Sequence, residues 1–373
     1  MPRRHSQRRR GHLWMVFGLL AAFGVLWAHL AVFLSPARWA IPALAGLAFP
    51  VFGVLLIVAM AVMFRRRRWR WFLGFALLIL LSGDLYRSVW GGFGVGVPEA
   101  LTNDAPALKV MGWNVRPYDR YGWLGEDTKK GITEAIADER PDVLCLQEHY
   151  RDPDSAAFPV EGPVRRAVGG VEKAPVQVHE VWARGKAGRR FGVATWSRYP
   201  IVGREDIAFG TRSNNACAVT DIAWNGDTVR VFNAHFASLH FGSEEYAALE
   251  EGVPDAEGRQ RIWSRMREAY SERVTQVTRV MEAVARSPHP VVLCGDFNDV
   301  PVSWALQAAR GQLRDTHDLR GLRMDGTWQG AVPGVRIDHI LVDPVWPVLD
   351  YGNGGDGLSD HRYVTAVVQA PTP

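Results

Sequence analysis

Residues 291–298 read VVLCGDFN, an apolar run that ends abruptly in polar residues. Four apolar residues before Gly295 and Asp296 indicate a buried strand that closes on a carboxylate. A carboxylate directly after a buried strand is costly unless it faces a pocket, a cation or a partner. We therefore expect Asp296, and Asn298 two residues later, to lie at a site.

The same polar ending recurs beside other apolar strands of the chain. The residues in these positions are Asn114, Glu148, His235, Asp338, Asp360 and His361. One such residue means little, because a strand often ends at Asp or Asn. Several strands of one domain that end this way indicate a shared site at one edge of a sheet.

The chemistry of these side chains favours a hard cation. Glu148, Asp360 and Asn114 offer oxygen ligands, which suit Mg²⁺ or Mn²⁺ better than zinc. Asp296 and His361 add acid–base capacity. The combination is typical of metal-assisted attack of water on phosphorus.

Strands and helices alternate from residue 107 onward. Strands are predicted at Leu108–Val115, Asp142–Glu148, Val176–Ala183, Phe191–Ser197, Ala216–Trp224, Thr228–Phe236, Pro290–Phe297, Arg336–Val342 and Tyr363–Val368. Helices are predicted at Thr128–Arg140 and Glu257–Arg286, the second with an apolar residue every three or four positions. This pattern predicts two sheets packed face to face, with helices on their outer faces.

Three long apolar stretches precede this part of the chain, at Leu13–Leu34, Ala40–Phe64 and Trp71–Trp90. Each approaches the ~20 residues that cross a bilayer as a helix, so we expect three transmembrane helices and contact with lipid over residues 13–90. Asp84 and Arg87 interrupt the third stretch near its end, where charged groups reach the interface.

The charge of the chain is divided sharply. Residues 1–97 hold 12 arginines and one acid, whereas the remainder holds 31 basic and 38 acidic residues. The arginines cluster before the first stretch and between the second and third, which places both segments in the cytoplasm and residues after Trp90 outside it, as in a bacterial inner membrane. A Gly-rich linker, Gly91–Gly96, then separates a membrane domain, 1–97, from a catalytic domain, 98–373.

The composition also bears on partners and on zinc. The acidic balance of residues 98–373 argues against tight, non-specific binding of nucleic acid. Cys145, Cys217 and Cys294 each lie in an apolar run without metal-ligand spacing, so we expect buried core residues and no zinc site. No protein partner is implied.

Taken in order, seven motifs resemble those of the endonuclease/exonuclease/phosphatase superfamily. They are WNV at 113–115, LQE at 146–148, SRYPI at 197–201, NAHF at 233–236, GDFN at 295–298, RIDHIL at 336–341 and SDH at 359–361. The resemblance covers roughly residues 105–370. With three spans in front, the chain is also similar to a membrane-bound bacterial branch of that superfamily.

This resemblance implies a four-layer α/β sandwich with its site at one edge of the paired sheets. By similarity Glu148 is the main metal ligand, and Asn114 and Asp360 lie near the metal. One departure is His339, where the family often has an aromatic residue. We expect His339 to point to the opposite face of its strand and to be structural.

The resemblance also implies roles in catalysis. Asp296 orients and deprotonates the attacking water, and Asn298 helps to hold the phosphate. His361 contacts a phosphoryl oxygen, and Asp338 fixes its orientation. His235 lies on the leaving-group side.

The leading expectation is therefore a membrane-anchored, Mg²⁺-dependent hydrolase of a phosphodiester or phosphomonoester, with a lipid headgroup as a plausible substrate because the anchor holds the site near the bilayer. The first alternative is a membrane-tethered nuclease that acts on extracytoplasmic nucleic acid. The second is a non-catalytic membrane scaffold, although no residue of the expected site is missing.

Overall fold

The computed structural model describes residues 2–92, 105–122, 124, 128–152, 160–169, 175–186, 189–210, 213–239, 255–330 and 332–370. The predicted linker after Gly92 and the predicted domain boundary at 97/98 lie outside these residues.

Twelve strands and ten α-helices are found among the described residues. The strands are β1 (Ala107–Asn114), β2 (Val143–Arg151), β3 (Gln177–Lys186), β4 (Arg189–Ser197), β5 (Ile201–Ala208), β6 (Ala216–Trp224), β7 (Asp227–His235), β8 (Val291–Asp296), β9 (Arg314–Asp315), β10 (Asp338–Val342), β11 (Val348–Gly354) and β12 (Tyr363–Gln369). The helices are α1 (Pro2–Phe33), α2 (Ile41–Leu47), α3 (Phe49–Arg65), α4 (Trp69–Leu81), α5 (Gly83–Trp90), α6 (Thr128–Glu139), α7 (Glu161–Val168), α8 (Ala256–Ala285), α9 (Trp304–Arg310) and α10 (Thr316–Arg320).

Two six-stranded mixed sheets are packed face to face. Their strand orders are β11-β12-β1-β2-β4-β3 and β5-β6-β7-β8-β10-β9. Each sheet has one parallel pair, β1 with β2 and β7 with β8. A parallel pair needs a crossover, and α6 and α8 supply the two crossovers on the outer faces.

Three apolar cores hold these layers together. Between the sheets lie β-branched residues such as Val110, Val231 and Val292, all fully buried. Outside one sheet α6 and α7 pack, and outside the other α8 and α9 pack. The predicted sandwich of two sheets flanked by helices is therefore confirmed. Cys145, Cys217 and Cys294 are buried within it, as expected.

The long helix α8 illustrates how the sequence builds a layer. Asp255 caps its first turn, because the Asp255 carboxylate accepts a hydrogen bond from the Gly258 backbone N–H at 2.7 Å. Tyr270, Val277 and Val284 are buried along one face. The predicted helix at Glu257–Arg286 is confirmed to within one residue at each end.

The N-terminal segment differs from the prediction of three uninterrupted spans. One helix segment, Leu13–Phe33, is long and apolar enough to cross a membrane. The second and third candidates are broken pairs, α2 with α3 bent by 63° and α4 with α5 bent by 62°. They qualify as spans only if each bent pair is counted as one.

Both bends have local causes. At the first, Pro50 has no N–H to continue the helix from α2 into α3. At the second, the Ser82 hydroxyl donates to the Leu78 carbonyl at 2.8 Å, which competes with helix propagation just before Gly83. Each break lies inside a long apolar stretch, so the hydropathy of the sequence does not indicate it.

Candidate active site

The sheet topology brings the polar strand ends to one edge of the sandwich. Asn114 closes β1, and His235 and Asp296 close the parallel pair β7 and β8. Glu148 was predicted to end its strand, but β2 continues to Arg151, and Glu148 lies directly after the residues of β2 that pair with β1. Asp338 begins β10, which runs antiparallel to β8 and pairs Asp338 with Asp296. The expected convergence of these residues at one sheet edge is therefore observed.

Asn114 links the two sheets at this edge. Its Nδ2 donates to Glu148 Oε1 at 3.2 Å and to Asp296 Oδ2 at 3.0 Å. Its Oδ1 accepts the backbone N–H of Arg116 at 3.1 Å, which fixes the amide. Two carboxylates from different sheets thus share one buried amide.

Asp296 is the centre of the site and is 1% exposed. Its Oδ1 accepts the backbone N–H of Asn298 at 2.8 Å. Its Oδ2 lies 3.7 Å from His235 Nε2 and 3.8 Å from His361 Nε2. Asn298 is held by its own Nδ2, which donates to the Phe236 carbonyl at 2.9 Å.

Asp338 and His361 form a buried pair in which His361 Nδ1 lies 2.9 Å from Asp338 Oδ2. Burial lowers the pKa of His361, but the carboxylates of Asp338, Asp296 and Asp360 outweigh burial and raise that pKa to about 10. His361 is therefore held as an imidazolium whose Nδ1–H donates to Asp338. Its Nε2 is directed towards Asp296.

Two site residues have strained backbone. Glu148 has φ 52° and Asn298 has φ 50°, a region that non-glycine residues rarely adopt. Glu148 lies at the register shift between Leu146 and His149, where β2 bulges against β4. Strained residues of this kind concentrate at functional sites, and a bulge redirects a side chain towards one.

Gly295 allows the two central strands to approach each other. A Cβ at Gly295 would lie 1.9 Å from the Ala234 carbonyl oxygen, so any side chain there would push β7 away from β8. The glycine in GDFN thereby brings His235 and Asp296, which are paired in register, to the same edge.

The predicted metal ligands differ in placement. Glu148 is half-buried beside Asn114. Asp360 lies further out, with its side chain 34% exposed and its Oδ2 3.5 Å from Arg116 Nε. By contrast, ligand atoms of Asp296, Asp338 and His361 all lie within 4.8 Å of one another. We call these three residues the edge cluster.

The donor set fits a hard divalent cation at the outer side of the edge cluster. Inside the cluster His361 Nδ1 is bound to Asp338 Oδ2, and the raised pKa of His361 favours the protonated ring, which offers no lone pair. Oxygen donors remain on Glu148, Asp296 and Asp360, and such donors suit Mg²⁺ or Mn²⁺.

Several supporting residues carry no signal that was recognised in the sequence. The Ser359 hydroxyl donates to the Asn114 carbonyl at 2.8 Å and so joins the SDH segment to β1. Gln147 Nε2 donates to Asn233 Oδ1 at 2.7 Å and joins the sheets behind Glu148. Both Gln147 and Asn233 lie inside quoted motifs, but their cross-sheet contact has no sequence pattern.

His339 lies on the other face of β10. It is fully buried, its Nδ1 accepts from Arg336 Nη1 at 2.7 Å, and Nδ1 also lies 3.1 Å from Asp315 Oδ2. We call Arg336, Asp315 and His339 the junction cluster, because Arg336 Nη2 also donates to the Ser88 carbonyl of α5 at 2.9 Å. The expectation that His339 points away from Asp338 agrees with these contacts.

Several solved structures are similar to this chain. D. rerio TDP2, humanized by 14 mutations, is 18% identical, with 71% of this chain and 99% of that chain covered at a TM-score of 0.49. An endonuclease/exonuclease/phosphatase family protein from Leptotrichia buccalis is 16% identical, with 70% of this chain and 100% of that chain covered at a TM-score of 0.49. An endonuclease/exonuclease/phosphatase from Bacteroides vulgatus is 16% identical, with 71% of this chain and 99% of that chain covered at a TM-score of 0.49.

Two family models match separate stretches of the chain. No curated protein matches the sequence. A model described only as a domain of unknown function matches residues 11–88. The model of the endonuclease/exonuclease/phosphatase family matches residues 111–361, which include every predicted site residue. The chain therefore belongs to the endonuclease/exonuclease/phosphatase family.

Proposed function

We propose that this protein is a membrane-anchored, divalent-metal-dependent phosphoester hydrolase. The observation that carries the proposal is the contact chain from Glu148 through Asn114 and Asp296 to His361 and Asp338, in which every step is 3.8 Å or shorter. This series of contacts combines a set of oxygen ligands with an oriented acid–base pair at one partly buried edge of the sheets.

Glu148 would be the main ligand of Mg²⁺ or Mn²⁺, with Asp360 and Asn114 near the ion. Bound there, the ion would neutralise phosphate charge and lower the pKa of a water. Glu148 and Asp360 are both half-buried, so a substrate could reach an ion held by them.

The remaining residues act on the proton and the phosphoryl oxygens. Asp296 takes the proton of the attacking water on Oδ2, while Asn298 fixes Oδ1 and contacts the phosphate. The water oxygen bonds to phosphorus as the bond to the leaving oxygen breaks. His361, oriented by Asp338, donates from Nε2 to a phosphoryl oxygen, and His235 protonates the leaving group.

A lipid headgroup is the substrate class that the position of the site supports. Val302, four residues after Asn298, is 1% exposed and belongs to the apolar cluster of the membrane helices. A Cβ at Gly46 of α2 would lie 2.1 Å from the Val302 carbonyl oxygen, so the two backbones are in direct contact. The loop that leaves the site therefore rests on the membrane segment.

The activity test compares two substrate classes. Purified full-length protein with Mg²⁺ is incubated with phospholipid vesicles and with plasmid DNA. We expect release of phosphorylated or dephosphorylated headgroup products, abolished by Asp296→Asn and unaffected by Asp350→Asn, an exposed aspartate on β11. Cleavage of DNA without lipid turnover would establish the nuclease alternative, and inactivity on both would favour the scaffold.

The proposed topology has three crossings, with residues 1–97 as the membrane domain and 98–373 as an extracytoplasmic catalytic domain. A reporter after Pro373 should be periplasmic, but one crossing predicts the same result. Cysteines introduced at Arg38 and Arg67 separate the two cases. Three crossings make only the cysteine at 38 reactive from outside, whereas one crossing makes both reactive. Cys145, Cys217 and Cys294 are buried and give little background.

A further inference from the structure

A cavity lies where the membrane helices meet the catalytic domain. Its volume is about 520 Å³, and its wall combines α1 and α5 with α9, β9 and α10. None of the predicted site residues lines it. The cavity is therefore separate from the edge that carries the edge cluster.

The position of the cavity corresponds to the surface of a bilayer. Val32, in its wall, is the penultimate residue of the one straight candidate span. Trp27 and Trp39 contact each other near the same end of that span, with ring centroids 5.2 Å apart. Tryptophan is enriched at the level of the lipid headgroups.

Three charged residues of the wall have no ion-pair partner among the described residues. The others are paired: Arg310 lies 3.3 Å from Asp315 and 2.9 Å from Asp318. Arg336 balances the second negative charge, at 3.0 Å from Asp315 and 3.7 Å from Asp318. By contrast, Asp84, Arg87 and Arg314 are exposed and form no ion pair with any residue that the structure describes. Two solvent-accessible guanidinium groups and one carboxylate are thus available to a ligand.

The apolar part of the wall is formed by Val32, Leu85 and Leu313, all buried. A ligand that matches the whole cavity offers a phosphate to the two arginines, a cation to Asp84 and an apolar portion next to these three side chains. Charged residues within a candidate span are costly without such partners.

We propose that this cavity binds the headgroup of a zwitterionic phospholipid, with the phosphate on Arg87 and Arg314 and the ammonium on Asp84. The proposal rests on the membrane insertion of α1–α5 but not on hydrolysis. It explains the two charges, Asp84 and Arg87, that interrupt the third apolar stretch.

The test measures lipid binding to full-length Asp296→Asn protein in nanodiscs or detergent by native mass spectrometry, so that turnover does not remove the lipid. Phosphatidylethanolamine, phosphatidylcholine and phosphatidylglycerol are compared. We expect Arg87→Gln and Arg314→Gln each to weaken phosphatidylethanolamine binding about tenfold, the size of one charge-assisted hydrogen bond. Asp84→Asn should abolish the preference over phosphatidylglycerol. Arg279→Gln, on the exposed side of α8, is the matched control.

The outcomes are distinguishable. Equal binding by all variants, or no binding of phosphatidylethanolamine, would overturn the site. Competition by soluble O-phosphoethanolamine at equal concentration would show that the acyl chains contribute nothing and would overturn the lipid assignment. Retention of the chain in carbonate-washed membranes measures insertion separately, and activity of the Arg314→Gln variant on vesicles reports the proposed hydrolase function independently.

Discussion

Two buried histidines at β10, His361 beside Asp338 and His339 within the strand, have pKa values shifted in opposite directions, although each lies beside an aspartate. His361 of the edge cluster is 2.9 Å from Asp338, and His339 of the junction cluster is 3.1 Å from Asp315. The pKa of His361 is raised to about 10, whereas the pKa of His339 is lowered to about 4. An aspartate partner alone does not determine the charge of a buried histidine.

The surrounding charges explain the difference. Burial lowers the pKa of both rings. Around His361 the carboxylates of Asp338 and Asp296 outweigh burial. Around His339 the Arg336 guanidinium adds to burial and competes for Asp315. The charges of the edge cluster thus favour a cationic ring at the proposed active site, and those of the junction cluster favour a neutral ring beneath the contact with α5.

Removal of divalent metal should give the largest difference between the two clusters. With excess EDTA we expect the rate of phospholipid hydrolysis in vesicles to fall by about a thousandfold, because a metal supplies several kcal/mol of charge stabilisation in the transition state. Added Mg²⁺ should restore the rate. Circular dichroism should show that the junction cluster and the fold persist, and a rate insensitive to the chelator would contradict a metal-dependent edge.

Asp315→Ala should chiefly affect stability. Arg336 is 2% exposed and would lose its buried carboxylate partner, at a cost of about 3–5 kcal/mol in the free energy of unfolding. Denaturant unfolding of the full chain in detergent measures this. Asp350→Ala, an exposed matched substitution, should change stability by less than about 0.5 kcal/mol. If both variants were equally stable, the junction cluster would not be a structural element.

Asp338→Asn should have the converse effect. The amide cannot hold the His361 imidazolium as the carboxylate does, so we expect kcat to fall by about a hundredfold with little change in KM. The free energy of unfolding should change far less than in Asp315→Ala. A loss of stability without a loss of kcat would place Asp338 with the junction cluster instead.

The edge cluster was more predictable from the sequence than the junction cluster. Asp296 follows a buried strand, and the ends of parallel strands meet at one edge, so its convergence with Asn114 and Glu148 could be expected. Arg336 and Asp315, in contrast, are 21 positions apart and belong to no shared pattern. Their pairing depends on how β9 and β10 adjoin in the sheet.

Weak local patterns account for the elements that were not predicted. The strand β5 is mostly exposed, with only Ile201 and Ile207 buried, so it lacks the apolar run of a central strand. The strand β11 contains two glycines and an Asn and is irregular against β12. Short helices such as α9, of seven residues, offer too few turns for periodicity.

His339→Gln should give the smallest effect, in the pH dependence of stability. The pKa of His339 falls from 6.5 in the unfolded chain to about 4 in the folded chain. Between these values the unfolded chain binds a proton that the folded chain does not. Stability is therefore complete above pH 6.5 and declines as the pH falls towards 4, by about 1.4 kcal/mol per pH unit. The glutamine of the variant does not titrate, so the free energy of unfolding of the variant should decline less steeply over the same pH range. Parallel curves for the variant and the natural protein would mean that folding does not lower the pKa of His339, which would contradict the opposite shifts of the two histidines.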